Sequence, residues 1–405
     1  MAKYTPFYDP EDKNYMVRIR RELHEYPEIG FDLPRTNALV ERELKAMGIP
    51  YSTEYGRSSI VATVGQPESD GAPSSDEPGG KYLPTIGIRA DMDALPVTER
   101  TGLPFASKIP GQMHACGHDA HTAILLGTAR MLKRAEEQGK LPCRVKLIFQ
   151  ANEEGEESGA AAMVNDGVMD DIDEIIALHQ DIGVPVGSIG VISGEFMAAC
   201  HPYRIEFFGQ AAHATIPDKA KDALAMAVKA YNDIYLMKSR EIGPFEEHIL
   251  SISSLTAGTA HNIIADYAQM LISFRFFSMD THDKVNRRIH QICENAAAEL
   301  GGTVKFADSI SAFPVYNDPD ITEKVRAAAS AVVGAENVVT VYKRMGSEDF
   351  SHYLQKKPGM LFRLGNGNAE KGCIHPSHSS EFMLDEDCLE VGAKVFVEYV
   401  MGRVE

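Results

Sequence analysis

His114-Ala-Cys-Gly-His-Asp-Ala-His121 packs three histidines, a cysteine and an aspartate into eight residues. The loop Pro104 to Gly111 precedes it, and the helix-forming run Ala123-Ile-Leu-Leu-Gly-Thr-Ala-Arg-Met-Leu132 follows at once. Cys116 and His118 stand two apart, so on an extended segment they converge on one side, as ligands of a metal do. Thiolate and imidazole are the usual partners of zinc and of other borderline transition ions. The ordinary alternative is a tight turn with a buried cysteine and solvated histidines. What separates the two is whether the rest of the chain supplies further ligands.

Working outward, the neighbouring apolar runs end in acids or histidine. Thr85-Ile-Gly-Ile-Arg-Ala-Asp-Met-Asp-Ala-Leu-Pro96 reads as a buried strand that delivers Asp91 and Asp93, although either acid alone is as readily the cap of a turn. Arg144-Val-Lys-Leu-Ile-Phe-Gln150 runs straight into Asn152-Glu-Glu-Gly-Glu-Glu-Ser-Gly159. An acidic loop is usually just solvated, but Glu153 and Glu154 directly follow a buried strand, so one can bind a metal while the other faces water. Glu174-Ile-Ile-Ala-Leu-His179 is a third such strand, ending in a histidine. With helical patterns near 120–136 and 159–166 between them, these strands predict an α/β fold with a site along the carboxyl edge of its sheet.

Upstream, residues 13–26 and 35–47 read as helices, with Pro34 and Gly48 as start and stop signals of the second. His24 reads as a packing residue. Ser59–Val64 is a short strand, and Pro67–Tyr82, rich in Gly, Pro, Ser and Asp, reads as a surface insertion. Near residue 200 the pattern changes. Strand 203–208, helix 222–239, strands 248–253 and 269–276, helix 281–300 and strand 303–307 make an α+β module of ferredoxin-like order. The βα pattern resumes after about 310 with helix 319–333, strand 338–342, helix 348–355, strand 360–364 and helix 385–401. A second cluster, Cys373-Ile-His-Pro-Ser-His-Ser-Ser380, follows a Gly/Asn-rich loop there. The expected organisation is a two-segment catalytic domain, 1–198 and 309–405, with a mixed or parallel sheet flanked by helices, and an inserted domain over 199–308.

At 405 residues the chain is long for one core, and 44% hydrophobic with 24% charged residues is ordinary for a globular protein. A net charge of -18 speaks against nucleic acid and anionic membranes, which need a basic patch. No apolar run of signal-peptide or membrane-spanning length is present. The cysteines at 116, 143, 200, 293, 373 and 388 have no framework spacing, which favours a reducing, cytoplasmic setting.

Gathered from the strand ends, Cys116, His118, Glu153, Glu154, His179 and a histidine from 375 or 378 are too many for one tetrahedral ion. They suit two ions sharing a bridge, with a glutamate beside a ligand glutamate as general base. No Gly-x-Ser-x-Gly elbow, Walker A loop, His-Glu-x-x-His or full dinucleotide fingerprint is present. Cys116 as a nucleophile, with His118 or His179 as its base, is the main rival, and it leaves the paired glutamates unexplained. A non-catalytic metal-dependent binding protein is a further alternative; it would have no use for a base.

Taken together, His114–His121, Arg89-Ala-Asp-Met-Asp-Ala-Leu-Pro96, Glu153-Glu154 and Gly346-Ser-Glu-Asp-Phe350 resemble motifs of the aminoacylase/carboxypeptidase family of dinuclear metallopeptidases. The likeness is greatest to its amidohydrolase branch of hippurate, N-acyl-amino-acid and auxin-conjugate hydrolases, and runs from Arg21 to Glu386. The resemblance implies two divalent metal ions per chain (Zn, Mn, Co or Ni), held by Cys116 as bridge, His118, Glu154, His179 and His378. It implies Glu153 as the base that takes a proton from the attacking water and passes it to the leaving amine. It implies a lid that forms a homodimer, with His213 stabilising the oxyanion and Asn262 and Arg275 holding a substrate carboxylate. Asp91, Asp93 and Asp119 would support the ligands. The activity implied is metal-dependent hydrolysis of N-acyl-amino acids or small peptide-like conjugates, with dipeptidase or carboxypeptidase action as the alternative. The chain departs from the usual family pattern at Ala211-Ala-His-Ala-Thr-Ile-Pro-Asp218, where two glycines usually precede the histidine and Pro-His follows it. It departs also at Ala151-Asn152, usually Pro-Ala, and in the extra His375.

Overall fold

Strand Thr85–Asp91 is buried at every position and Arg144–Gln150 at all but its first. Neither alternates, because both faces of their sheet are covered. A computed structural model describes residues 2–65 and 84–403; the insertion expected at Pro67–Tyr82 lies outside the described residues. The two strands sit within an eight-stranded sheet. Its order is Tyr51–Ser52, Ile60–Val64, Arg144–Gln150, Thr85–Asp91, Glu174–Pro185, Gly359–Gly367, Ile189–Val191 and Val338–Thr340. The four central strands are parallel. Ile60–Val64 joins them antiparallel at one side and Ile189–Val191 at the other, so the sheet is mixed.

Helix His118–Glu137 has Ala123, Ile124, Leu125, Leu126 and Ala129 wholly buried. A helix apolar almost all round belongs inside a core, and each such leucine or isoleucine contributes about 1.5–3 kcal/mol by burial. Helices Pro10–Glu25, Pro319–Val333 and Cys388–Met401 send side chains into the same core. Asp9 caps the first of these, with Asp12 returning the bond, and Pro34 opens Pro34–Ala46 as its composition indicates. Among the described residues no helix is long and apolar enough to cross a membrane.

The chain divides into two compact units. One comprises the described residues within Met1–Phe196, Tyr316–Tyr342 and Asp349–Glu405; the other comprises Met197–Val315 and Lys343–Glu348. The second unit runs strand Ala199–Phe208, helix Ala223–Glu241, strands His248–Ala257 and Tyr267–Phe276, helix Met279–Glu299 and strand Thr303–Asp308. Its sheet is antiparallel throughout, in the order His248–Ala257, Tyr267–Phe276, Ala199–Phe208, Thr303–Asp308. Burial alternates along the two central strands, as it must where helices cover one face only. Asp222 and Ser278 cap the two helices through their side chains.

Two expectations are corrected. The strand expected to end at His179 continues to Pro185, because Gln180 and Asp181 keep pairing with Leu364 and Gly365. His179 therefore lies inside a strand. Gly365-Asn-Gly367, read as loop, belongs to strand Gly359–Gly367. A Cβ at Gly365 would stand 2.0 Å from the Pro185 carbonyl oxygen, and one at Gly367 2.3 Å from that of Ile182. The glycines serve close strand approach rather than a turn.

Candidate metal centre

The His114–His121 stretch is where the loop after strand Thr85–Asp91 enters helix His118–Glu137. Gly117 takes φ +79°, which a side chain resists, and places Cys116 just before the helix and His118 at its first position. Cys116 Sγ lies 3.3 Å from His179 Nε2. His118 Nδ1 donates to the Asp93 carbonyl at 2.8 Å, and His179 Nδ1 donates to that of Gln180 at 2.7 Å. Each ring thus has its Nδ1 engaged by a carbonyl and keeps Nε2 as its ligand atom, the usual support for a metal-bound histidine. His118 Nε2 is buried with no hydrogen-bond partner among the described residues.

Across the site, the turn after strand Arg144–Gln150 presents the two glutamates. Asp93 holds it: its carboxylate accepts the backbone N–H of Glu153 at 2.9 Å and of Glu154 at 3.1 Å. One residue therefore orients His118 through its carbonyl and both glutamates through its side chain. Asn152 adopts φ +56°, a conformation asparagine tolerates, and its side chain fills the turn and donates to the Glu157 carbonyl. This accounts locally for the departure at Ala151-Asn152. His378 also lies at positive φ, +69°; its N–H donates to the Ala115 carbonyl at 2.8 Å, and its Nε2 stands 3.1 Å from Glu154 Oε1.

The ligand-type atoms fall into compact groups with all members within 4.8 Å of one another. Cys116, His118 and His179 form one, and Cys116, Glu154 and His378 another. His118, Glu153 and Glu154 form a third. The donors fit divalent cations: one sulfur shared by two triads, imidazole nitrogens and a carboxylate. Asp91, His118 and His121 also cluster, but both His121 nitrogens are committed. Nδ1 donates to Asp91 at 2.6 Å, and Nε2 accepts the Gln180 N–H at 3.1 Å. His375 stands 3.7 Å from Glu381, outside these groups.

Electrostatics follow the same division. Burial pushes the Cys116 thiol up to about 12 against the pull of His118, the reverse of a free nucleophilic cysteine; a cation is what would hold that sulfur ionised. Burial, with Arg363 nearby, keeps His179 well below the ordinary imidazole range, and so neutral. Burial also opposes charge on His118, but Asp91, whose Oδ2 is 3.6 Å from its Nε2, outweighs this and raises it. For Glu154, burial is outweighed by His378 and His118, which hold the carboxyl below its usual range.

The supporting acids differ in what they touch. Asp91 is clamped by Arg89 at 2.6 Å and His121. Asp119 accepts from Arg20 at 2.8 Å, His24 at 2.7 Å and the Ala120 N–H; none of the candidate ligands is among its hydrogen-bond partners. His24 is accordingly a packing residue of this buried network. Gln180 escaped the sequence reading. Its amide donates to the Cys116 carbonyl at 3.0 Å and to Ser377 at 2.8 Å, and accepts from Asn366 at 2.7 Å, joining both Cys/His clusters. Only its place next to His179, on the opposite face of a strand, hinted at this.

His213, Asn262 and Arg275 lie in the second unit. His213 is exposed on a two-stranded ribbon in which it pairs with Ile263, and Ala214 N–H donates to the Asn262 carbonyl at 3.0 Å, so these two residues are neighbours. Arg275, on strand Tyr267–Phe276, donates to the Met345 carbonyl at 3.1 Å and to Ser347 Oγ at 3.2 Å.

Residues 87–402 match the model of Peptidase family M20/M25/M40. Thermostable carboxypeptidase 1 of Saccharolobus solfataricus is 36% identical over 386 residues, covering 95% of this chain and 94% of that one. IAA-amino acid hydrolase ILR1-like 4 of Arabidopsis thaliana is 32% identical, covering 98% and 86%. Among solved structures, a dinuclear metal binding peptidase of Bacillus subtilis superposes with a TM-score of 0.78 at 30% identity, covering 97% of this chain and 98% of that one.

Proposed function

The chain belongs to peptidase family M20/M25/M40, and from that premise we propose that it cleaves N-acyl-amino acids or small peptide-like conjugates at a two-metal centre. It is a metal-dependent hydrolase of amide bonds, as the named activities of its relatives support. The observation that carries the two-metal reading is the double membership of Cys116, in one triad with His118 and His179 and in another with Glu154 and His378.

Two divalent ions held by these five residues would polarise the scissile carbonyl and acidify water enough for attack near neutral pH. Glu153, on the turn tied down by Asp93, would take the proton from the attacking water and deliver it to the departing amine. The product pair is a carboxylate and an amine, with the water's second proton retained or released according to pH. His213 would donate a hydrogen bond to the oxygen that gains charge in the transition state. Asn262 and the five-donor guanidinium of Arg275 would hold the substrate carboxylate. The mixed sulfur, nitrogen and oxygen donors would accept Zn, Mn, Co or Ni.

Residues 1–198 and 309–405 are read as the catalytic domain and 199–308 as a ferredoxin-like lid through which two chains pair. The split β-α-β-β-α-β order supports the lid assignment. Six free thiols suit a cytoplasmic setting. The relatives named carboxypeptidases favour a second substrate class, dipeptides, at the same site.

C116A tests the centre. It should bind clearly less than two metal equivalents and lose activity, because the shared donor is gone; two ions still bound per chain would refute the bridge. A panel of N-acetyl-, N-benzoyl- and dipeptide substrates with each metal then separates the two substrate classes. No turnover of any of them with any of the metals would sink both.

A further inference from the structure

The exposed ribbon that carries His213 sets Thr215, a residue at which no role has yet been placed, against the imidazole. Ile216 N–H donates to the His213 carbonyl at 2.9 Å, closing a turn, while Ala214 N–H is tied to the Asn262 carbonyl. Inside that turn the Thr215 backbone N–H points at His213 Nδ1 at 3.3 Å, and Thr215 Oγ1 lies 2.8 Å from the same nitrogen. A backbone N–H can only donate, so that contact is a hydrogen bond only when Nδ1 is the acceptor. The threonine hydroxyl, free to rotate, then donates to the same lone pair. A neutral imidazole whose Nδ1 accepts carries its proton on Nε2.

We infer that Thr215 is a positioning residue that fixes His213 as the Nε2–H tautomer and orients its ring, so that Nε2 is a ready hydrogen-bond donor. The inference rests on the reading of His213 as donor to the developing oxyanion. That role requires an N–H on the outward nitrogen, and the opposite tautomer would present a lone pair to a growing negative charge. Thr215 lies within the stretch where the chain departs from the usual family pattern around this histidine, Ala211-Ala-His-Ala-Thr-Ile-Pro-Asp218. The hydroxyl supplies the shorter of the two contacts, so its loss weakens the preference without abolishing it.

The test uses the full-length, zinc-loaded enzyme labelled with 15N-histidine at about pH 8, where an ordinary imidazole is neutral. Long-range proton–nitrogen spectra report which ring nitrogen bears the proton, and H213Q identifies the His213 signals by their loss. The wild type should show an unprotonated Nδ1 and a protonated Nε2. T215V, which keeps size and the backbone donor, should show a second tautomer, with kcat down about three- to tenfold, the share of one neutral hydrogen bond, and KM little changed. T215S should restore both readouts. A proton on Nδ1 in the wild type, or an unaltered tautomer in T215V, overturns the inference. Wild-type kcat in H213Q overturns the oxyanion role instead, and the spectrum is read independently of it.

Discussion

Glu153 and Glu154 are adjacent and chemically identical, yet their settings differ. Glu154 stands beside His378 and shares a triad with Cys116, whereas Glu153 shares a group with His118 and Glu154 but none with Cys116 or His378. E153Q should therefore retain two metal equivalents and the wild-type unfolding profile while kcat falls by about two to four orders of magnitude, the usual share of a general base. Near-wild-type turnover, measured with metal content on the same sample, would end the assignment. Adjacency in the chain does not show this division, which the sequence carries only through the family resemblance, because adjacency says nothing about which carboxylate meets the histidine more than two hundred residues later. Asp93 illustrates the same limit. It reads as one of two acids at a strand end, and only the fold reveals that it binds the two N–H groups of the glutamate turn and, through its carbonyl, His118.

At the scale of elements, helices Pro10–Glu25 and His118–Glu137 are joined by a buried network of Arg20, His24 and Asp119. Burial works against charge on Asp119, but Arg20 and His24 outweigh it and hold the carboxyl far below its usual range. A group depressed in the folded state stabilises above its unfolded value, about 3.9 for aspartate, and that contribution is lost as pH falls toward the folded value. D119N should cost about 3 kcal/mol at pH 7, since it removes the closer of Arg20's two carboxylate partners and leaves the buried guanidinium only Glu386 at 3.3 Å. It should also flatten the fall in stability between about pH 5 and pH 2. Urea unfolding at neutral and acid pH checks both, and parallel acid slopes for the two proteins would contradict the account. Element positions themselves were largely legible, because caps, prolines and periodicity are local. Exceptions include strand Glu174–Pro185, whose polar second half is held by pairing with Gly359–Gly367, the glycines of that partner strand, the helix expected over 348–355, which is only Ser351–Leu354, and the short strand Ile189–Val191, which was not anticipated.

At the scale of the whole molecule, the candidate ligands come from positions 116, 118, 154, 179 and 378, so bound ions would tie together segments spread over most of the first unit. Metal should accordingly raise the Tm: a ligand at one hundred times its Kd adds about 2.7 kcal/mol to the folded state. Thermal scans of chelated and reloaded enzyme should differ by several degrees in the wild type and by much less in C116A. A wild-type Tm indifferent to metal would count against a preformed centre. The sequence by itself determined the α/β alternation, the buried character of the central strands, and a concentration of ligand chemistry at strand ends and in two Cys/His clusters. Those properties are set by side-chain type and short-range periodicity. The resemblance named Cys116 as a bridge, but only the tertiary structure decided which residues make up its two triads, that His121 and Asp119 are committed elsewhere, and that Gln180 links the two clusters. It also placed the Thr215 N–H and hydroxyl against His213 Nδ1. Each of these is a distance or a direction between atoms, and such relations exist only once the sheet, its register and the turns at its edge have formed.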